Sequence, residues 1–162
     1  MLFRSLAFDI DVGQPAVVAS IGVSMYLTND AIAATLRQVA ALAPGSTLAM
    51  TFLLPLEHVD PEVRPGLQMA EQGARASGTP FISFFTPAEM LTLAREAGFS
   101  DAQHVSAATL TQRYFAGRTD GLRPPNNAEG LLVATTQSPS EKVHDKESPA
   151  YGTAPPARPS SA

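Results

Sequence analysis

Ala16-Val17-Val18-Ala19-Ser20-Ile21-Gly22-Val23 is the stretch on which the fold turns. It is apolar on both alternating sets of positions, which predicts a strand covered on both faces, that is, a central strand of a sheet with helices on either side. Thr28, Asn29 and Asp30 follow and are N-cap residue types. Ile32, Leu36, Val39 and Ala43 then recur at helical spacing until Pro44-Gly45 stops the helix. Leu48 to Leu54, ended by Pro55, reads as a second strand. Strand, helix and strand make one β-α-β unit, whose strands are expected to be parallel with a right-handed crossover.

Farther along, a helix is expected within Pro61 to Ser77, where Leu67, Met69 and Ala70 stand among charges. Thr86-Pro87-Ala88-Glu89 is the sharpest local signal in the chain. It combines an N-cap hydroxyl, a proline at the first helical position and a Glu at the third, the elements of a capping box. That helix should close at Gly98 after Ala97. A short strand near Gln103 to Ser106, a helix near Thr109 to Ala116 and a last strand Gly130 to Thr135 complete the order, with an antiparallel closing pair. From Gln137 to Ala162 the chain turns to Ser, Pro, Lys, Glu and Ala, too poor in large apolar residues to offset ordering entropy, so a disordered tail is expected after a domain over 1–136.

The 162 residues are one domain's length, with 44% hydrophobic residues. A net charge of -4 gives no basic footprint for nucleic acid. With no cysteine, a disulfide framework, a thiolate zinc site and a cysteine nucleophile are excluded. Met1-Leu2-Phe3-Arg4 is soon interrupted by Asp9 and Asp11, unlike a signal peptide, and no apolar run approaches the roughly 20 residues of a membrane span. A cytoplasmic address is the expectation.

Few motifs carry chemistry on their own. No glycine-rich turn follows a strand; Gly117-Arg118-Thr119-Asp120-Gly121 follows a helix and reads as a loop turn. His58 lies near Glu57, Asp60 and Glu62 in a proline-bounded loop without a second histidine, so no metal site is expected. Ser20 and Ser24 flank Gly22 without the Gly-x-Ser-x-Gly elbow of a serine hydrolase. Two segments are better candidates. Gly22-Val23-Ser24-Met25-Tyr26-Leu27 sits at the carboxyl end of the first strand, where open α/β sheets present ligand-binding residues. Tyr26 there is either a ligand contact or a core aromatic. Arg113-Tyr114-Phe115-Ala116-Gly117-Arg118-Thr119-Asp120-Gly121-Leu122-Arg123-Pro124-Pro125 interleaves arginines with aromatics. It suits either a grip on an anionic substrate group or an Arg-Asp clamp on the loop.

Those two segments, with Ser83-Phe84-Phe85-Thr86-Pro87-Ala88-Glu89-Met90 between them, resemble in order the leucine carboxyl methyltransferase-like family of class I S-adenosylmethionine-dependent methyltransferases, in its actinobacterial branch. The likeness runs from about Phe8 to Thr135. It implies a Rossmann-like α/β fold of which this chain holds the C-terminal half, strands four to seven with crossover helices and a final antiparallel strand. It further implies S-adenosylmethionine as cofactor and a methyl group transferred to a carboxylate or hydroxyl oxygen of a small molecule or peptide terminus. Ile21, Gly22 and Val23 then fall on the cofactor's adenine side, and Tyr26, Tyr114 and Arg118 on the substrate side. No catalytic acid or base is assigned, since a carboxylate acceptor needs none.

The chain also departs from the family. The family's glycine-rich turn and the acidic residue that hold the cofactor's methionine and ribose have no counterpart here, and the likeness is already running at Phe8-Asp9, so a truncated domain is expected. Ile21 stands where leucine carboxyl methyltransferases proper carry a Glu. The alternative expectation is a non-catalytic remnant or binding module that pairs with another chain, self-association through the exposed edge of the first strand included.

Overall fold

The computed structural model of the protein describes residues 13–123 and 128–137. The expected tail, apart from Gln137, and the Phe8 end of the resemblance lie outside the described residues. Four strands form one sheet: β1 (Val17–Ser20), β2 (Thr47–Leu53), β3 (Asp101–Val105) and β4 (Glu129–Thr135), in the order β1-β2-β4-β3. β1 and β2 are parallel, while β4 enters between β2 and β3 and runs antiparallel to both. The helices are α1 (Asn29–Ala40), α2 (Arg64–Ala76), α3 (Pro87–Ala97) and the single turn α4 (Ala107–Leu110), which runs into a π-helical turn at Thr111–Phe115.

Alternation along β2 and β4 decides where the core lies. Leu48, Met50 and Phe52 of β2 and Leu132 and Ala134 of β4 all point to one face and are at most 1% exposed. They pack with Ile32 and Leu36 of α1 and Met90 and Ala94 of α3 in one apolar cluster. Gly130 belongs to this fit: a Cβ there would come within 2.4 Å of the Phe52 ring, so only glycine lets β4 pass. Beside the cluster, the start of β2 is locked to the end of β4 by polar groups. The Ser46 amide donates to Thr136 Oγ1 at 2.9 Å, and the Thr136 hydroxyl donates to the Ala43 carbonyl at 2.9 Å. These buried hydroxyls are satisfied, as a buried polar group must be to avoid a desolvation penalty.

The capping box of α3 is complete. Thr86 Oγ1 accepts from the Glu89 amide at 3.3 Å, the Glu89 carboxylate accepts from the Thr86 amide at 2.8 Å, and Gly98 closes the helix at φ 107°. Thr28 caps α1 by accepting from the Ala31 amide at 3.2 Å.

Three details differ from expectation. β1 is an edge strand rather than a central one, and Val17 on its outer face is 82% exposed. Its apolar side chains call for cover on both faces, but cover comes from other segments, and among the described residues none lies over that face or pairs beyond that edge. β1 also ends at Ser20, because Gly22 takes up φ 68° and directs its amide to the Thr51 side chain instead of continuing the ladder. Finally, the helix expected from Thr109 begins at Ala107, since Ser106 serves as its N-cap, accepting from the Thr109 amide at 3.1 Å. Among the described residues no helix is long and apolar enough to cross a membrane.

Candidate functional site at the carboxyl ends of the parallel strands

In open α/β sheets ligands bind beyond the carboxyl ends of the parallel strands, where loops leave the sheet. Here that end is built around Thr51 of β2. Its hydroxyl accepts the Gly22 amide at 2.8 Å, and its carbonyl accepts the Ser24 hydroxyl, also at 2.8 Å. Together these bonds hold the turn after β1 against β2, with Ser24 and Met25 buried beneath it. Ile21 and Val23 are left projecting, 57% and 43% exposed. Between them Gly22 faces open space, with no heavy atom within 4 Å of where a Cβ would stand.

The extended segment before α3 braces this turn. The Ile82 amide donates to the Met25 carbonyl at 2.8 Å, the Phe85 amide to the Leu53 carbonyl at 2.9 Å, and the Ser83 hydroxyl to the Leu27 carbonyl. Two of the three strings read from the sequence, Gly22 to Leu27 and Ser83 to Met90, are thus neighbours in space. Tyr26 stands half exposed with its ring edge-on to Phe81, centroids 5.5 Å apart. With Gly78, Thr79, Pro80 and Ile82 it lines a shallow cleft of about 550 Å³.

Tyr114 and Arg118 come from the third string. Tyr114 is 62% exposed on the π-helical turn. Arg118 grips Asp120 two residues on, Nε to Oδ1 at 3.0 Å and the second nitrogen to Oδ2. This ion pair raises the Arg118 pKa and, with the Leu122 amide, holds the Asp120 carboxyl below the usual carboxylate range. Among the described residues no hydrogen bond, ion pair or ring contact joins Tyr114 or Arg118 to Tyr26 or to the turn at Gly22.

Sequence reasoning passed over Glu129. It opens β4 opposite Leu53, the last residue of β2, and so stands at the ligand-facing end of the sheet. Burial pushes its carboxyl up from the ordinary value. The available signal was slight: one charge at the head of the otherwise apolar run Glu129-Gly130-Leu131-Leu132-Val133-Ala134. Among the described residues, no three acidic or imidazole side chains come together as a metal site requires.

No family model and no curated protein matches this chain. Solved structures do. A DUF574 family protein from Streptomyces avermitilis superposes with a TM-score of 0.53 at 20% identity, over 78% of this chain and 46% of its own. A candidate methyltransferase from Thermobifida fusca gives 0.52 at 24% identity, over 80% and 46%. A candidate exported protein from Bordetella parapertussis gives 0.50 at 20% identity, over 75% and 39%. The chain spans less than half the length of each of these proteins. Likeness at this identity establishes the fold: the four strands with their helices match part of the Rossmann-like α/β architecture of these proteins.

Proposed function

We propose that the chain serves S-adenosylmethionine-dependent methyl transfer to a carboxylate or hydroxyl oxygen of a small molecule or peptide terminus, as part of a leucine carboxyl methyltransferase-like enzyme. The observation that carries this reading is the turn after β1, where two exposed apolar side chains, Ile21 and Val23, flank a glycine with open space before it. A flat apolar ring such as adenine suits that arrangement, and the turn is fixed in place by Thr51. The fit covers the adenine end alone: the chain has no glycine-rich turn after a strand for the methionine end. Bound there, the cofactor would supply an electrophilic methyl group. The chain's own residues would hold and orient the acceptor, from Tyr26 beside the turn and from Tyr114 and Arg118 on the segment after α4. Arg118 already holds Asp120, so an acceptor carboxylate would have to compete for the guanidinium.

Titrating the chain with S-adenosylmethionine, followed by calorimetry and by amide NMR, tests this reading. Shifts centred on Ile21, Gly22 and Val23 are expected, with affinity weaker than micromolar, because each missing charge-assisted hydrogen bond costs roughly 1.5 to 3 kcal/mol. Absence of shifts there at millimolar cofactor would sink the assignment of the turn. A second reading, a module that pairs with another chain, is favoured by the edge of β1, beyond which no strand pairs among the described residues, and by its exposed Val17.

A further inference from the structure

A second cleft opens at the same end of the sheet, with Phe81 in its wall. It measures about 410 Å³ and is walled by Met25, Leu53, Leu67 and Phe81, with Glu62 and Glu129 as its charged groups. Among the described residues no Lys, Arg or His lines it. Glu129 enters from the head of β4, half buried, and its side chain has no hydrogen bond or ion pair among the described residues. A partly buried carboxylate gains from a charge-assisted hydrogen bond to a cation or a donor beside it. Among the described residues no pairing group stands beside Glu129, while the space next to it is open.

We infer that this cleft is a binding site for a small molecule that carries a protonated amine on an apolar body, with the ammonium on Glu129 and the body against Met25, Leu53, Leu67 and Phe81. Three independent features converge on that class. The cavity is of small-ligand size and mostly apolar, which is how such sites are generally built. Among the described residues its charge is of one sign only, so an anionic ligand is repelled and a neutral one adds no charged partner for Glu129. Its position at the carboxyl ends of β1 and β2 is where the fold places ligands. The charge-assisted bond from an N–H donor to a carboxylate supplies the specificity that apolar walls lack. The inference stands whether or not the chain transfers methyl groups, since it concerns binding alone.

Three probes of one shape and different charge make the test: 4-phenylbutylamine, 4-phenylbutanol and 4-phenylbutyrate, each titrated into the full chain at neutral pH and followed by methyl NMR. The amine is expected to bind about tenfold more tightly than the alcohol, the value of one charge-assisted hydrogen bond at the lower end of its range. Its shifts should centre on Met25, Leu53 and Leu67, and the carboxylate probe should bind weakest. Glu129→Gln keeps the side-chain shape and should reduce the amine to the level of the alcohol while leaving the alcohol unchanged. Glu62→Gln, at the exposed rim, should weaken the amine by less than Glu129→Gln does. Equal binding of amine and alcohol, shifts centred outside the cleft, no binding of the amine, or an amine preference that survives Glu129→Gln would each overturn the inference.

Discussion

The helix α3 and the strand β1 were both marked out by the sequence, and they ended up in opposite circumstances. α3 carries its start and stop signals within its own residues, Thr86, Pro87, Glu89 and Gly98, and the structure reproduces each of them. β1 was marked by apolar side chains on both faces, and that pattern is a demand on neighbours rather than a property of the strand. One face meets the core, while the other leaves Val17 in the open at the edge of the sheet. Signals that close within one turn of chain can be trusted locally; a signal that needs a partner says only that a partner is wanted.

The strongest way to break this contrast uses two adjacent leucines of β4, one on each face. Leu132 is fully buried between β2 and the helices, and Leu131 is partly exposed on the opposite face. Leu132→Ala should lose about 2 to 5 kcal/mol, through lost burial and the cavity left in a packed core. Leu131→Ala should lose about 1 kcal/mol, in proportion to the smaller apolar area it hides. Urea unfolding of the two variants checks this. Equal losses would mean that the second face is as well covered as the first, and that the sheet is not open.

How much could be read in advance follows from the same distinction. The β-α-β unit, the capping box, the closing glycine and the antiparallel final pair were legible because each rests on short-range periodicity or cap chemistry. The insertion of β4 between β2 and β3 was not legible, because strand order depends on pairing between segments some 80 residues apart in the chain. Within the candidate site, Gly22 and Tyr26 were singled out because they follow a strand, and the structure places them beyond its carboxyl end. Glu129 was missed because its environment is made by Leu53, Leu67 and Phe81, which arrive from three other segments. The loop arginines were noticed for their spacing, but spacing could not tell that Arg118 would turn to Asp120.

The contrast is sharpened, with a smaller effect, at the cap of α3. Thr86→Ala removes the acceptor of the Glu89 amide and should cost about 1 kcal/mol. Glu89 gives the same site a pH signature. Its carboxyl is held below the ordinary carboxylate range mainly by the Thr86 amide, next by the Thr86 hydroxyl, with a small contribution from His58. A folded pKa below the unfolded one adds stability that is present above the unfolded value and is lost as pH falls through the folded value. The stability gap between the parent chain and Glu89→Gln should therefore be open at neutral pH and close as the solution is acidified through the carboxylate range. A gap that stays constant across that range in thermal unfolding would remove the charged half of the capping box from the account.

The smallest effect on stability, and the most direct comparison with α3, is expected at the free edge. Val17 gains little from burial, so Val17→Lys should move the unfolding free energy by no more than about 0.5 kcal/mol. Its consequence should appear in association instead. Among the described residues no strand pairs with the outer edge of β1, whose residues, Val17 to Ser20, carry no charge, and such an edge lacks the lysine or proline that natural sheets use to discourage strand addition. Light scattering on the parent chain at micromolar concentration should report dimers or larger soluble species, and Val17→Lys should return the mass to that of a monomer. A parent chain that is already monomeric, with the same unfolding midpoint at every concentration, would show that the edge is protected within the chain and would remove the support for a pairing module. Association that persists in Val17→Lys would place the contact on another surface, because lysine on an edge strand discourages strand addition.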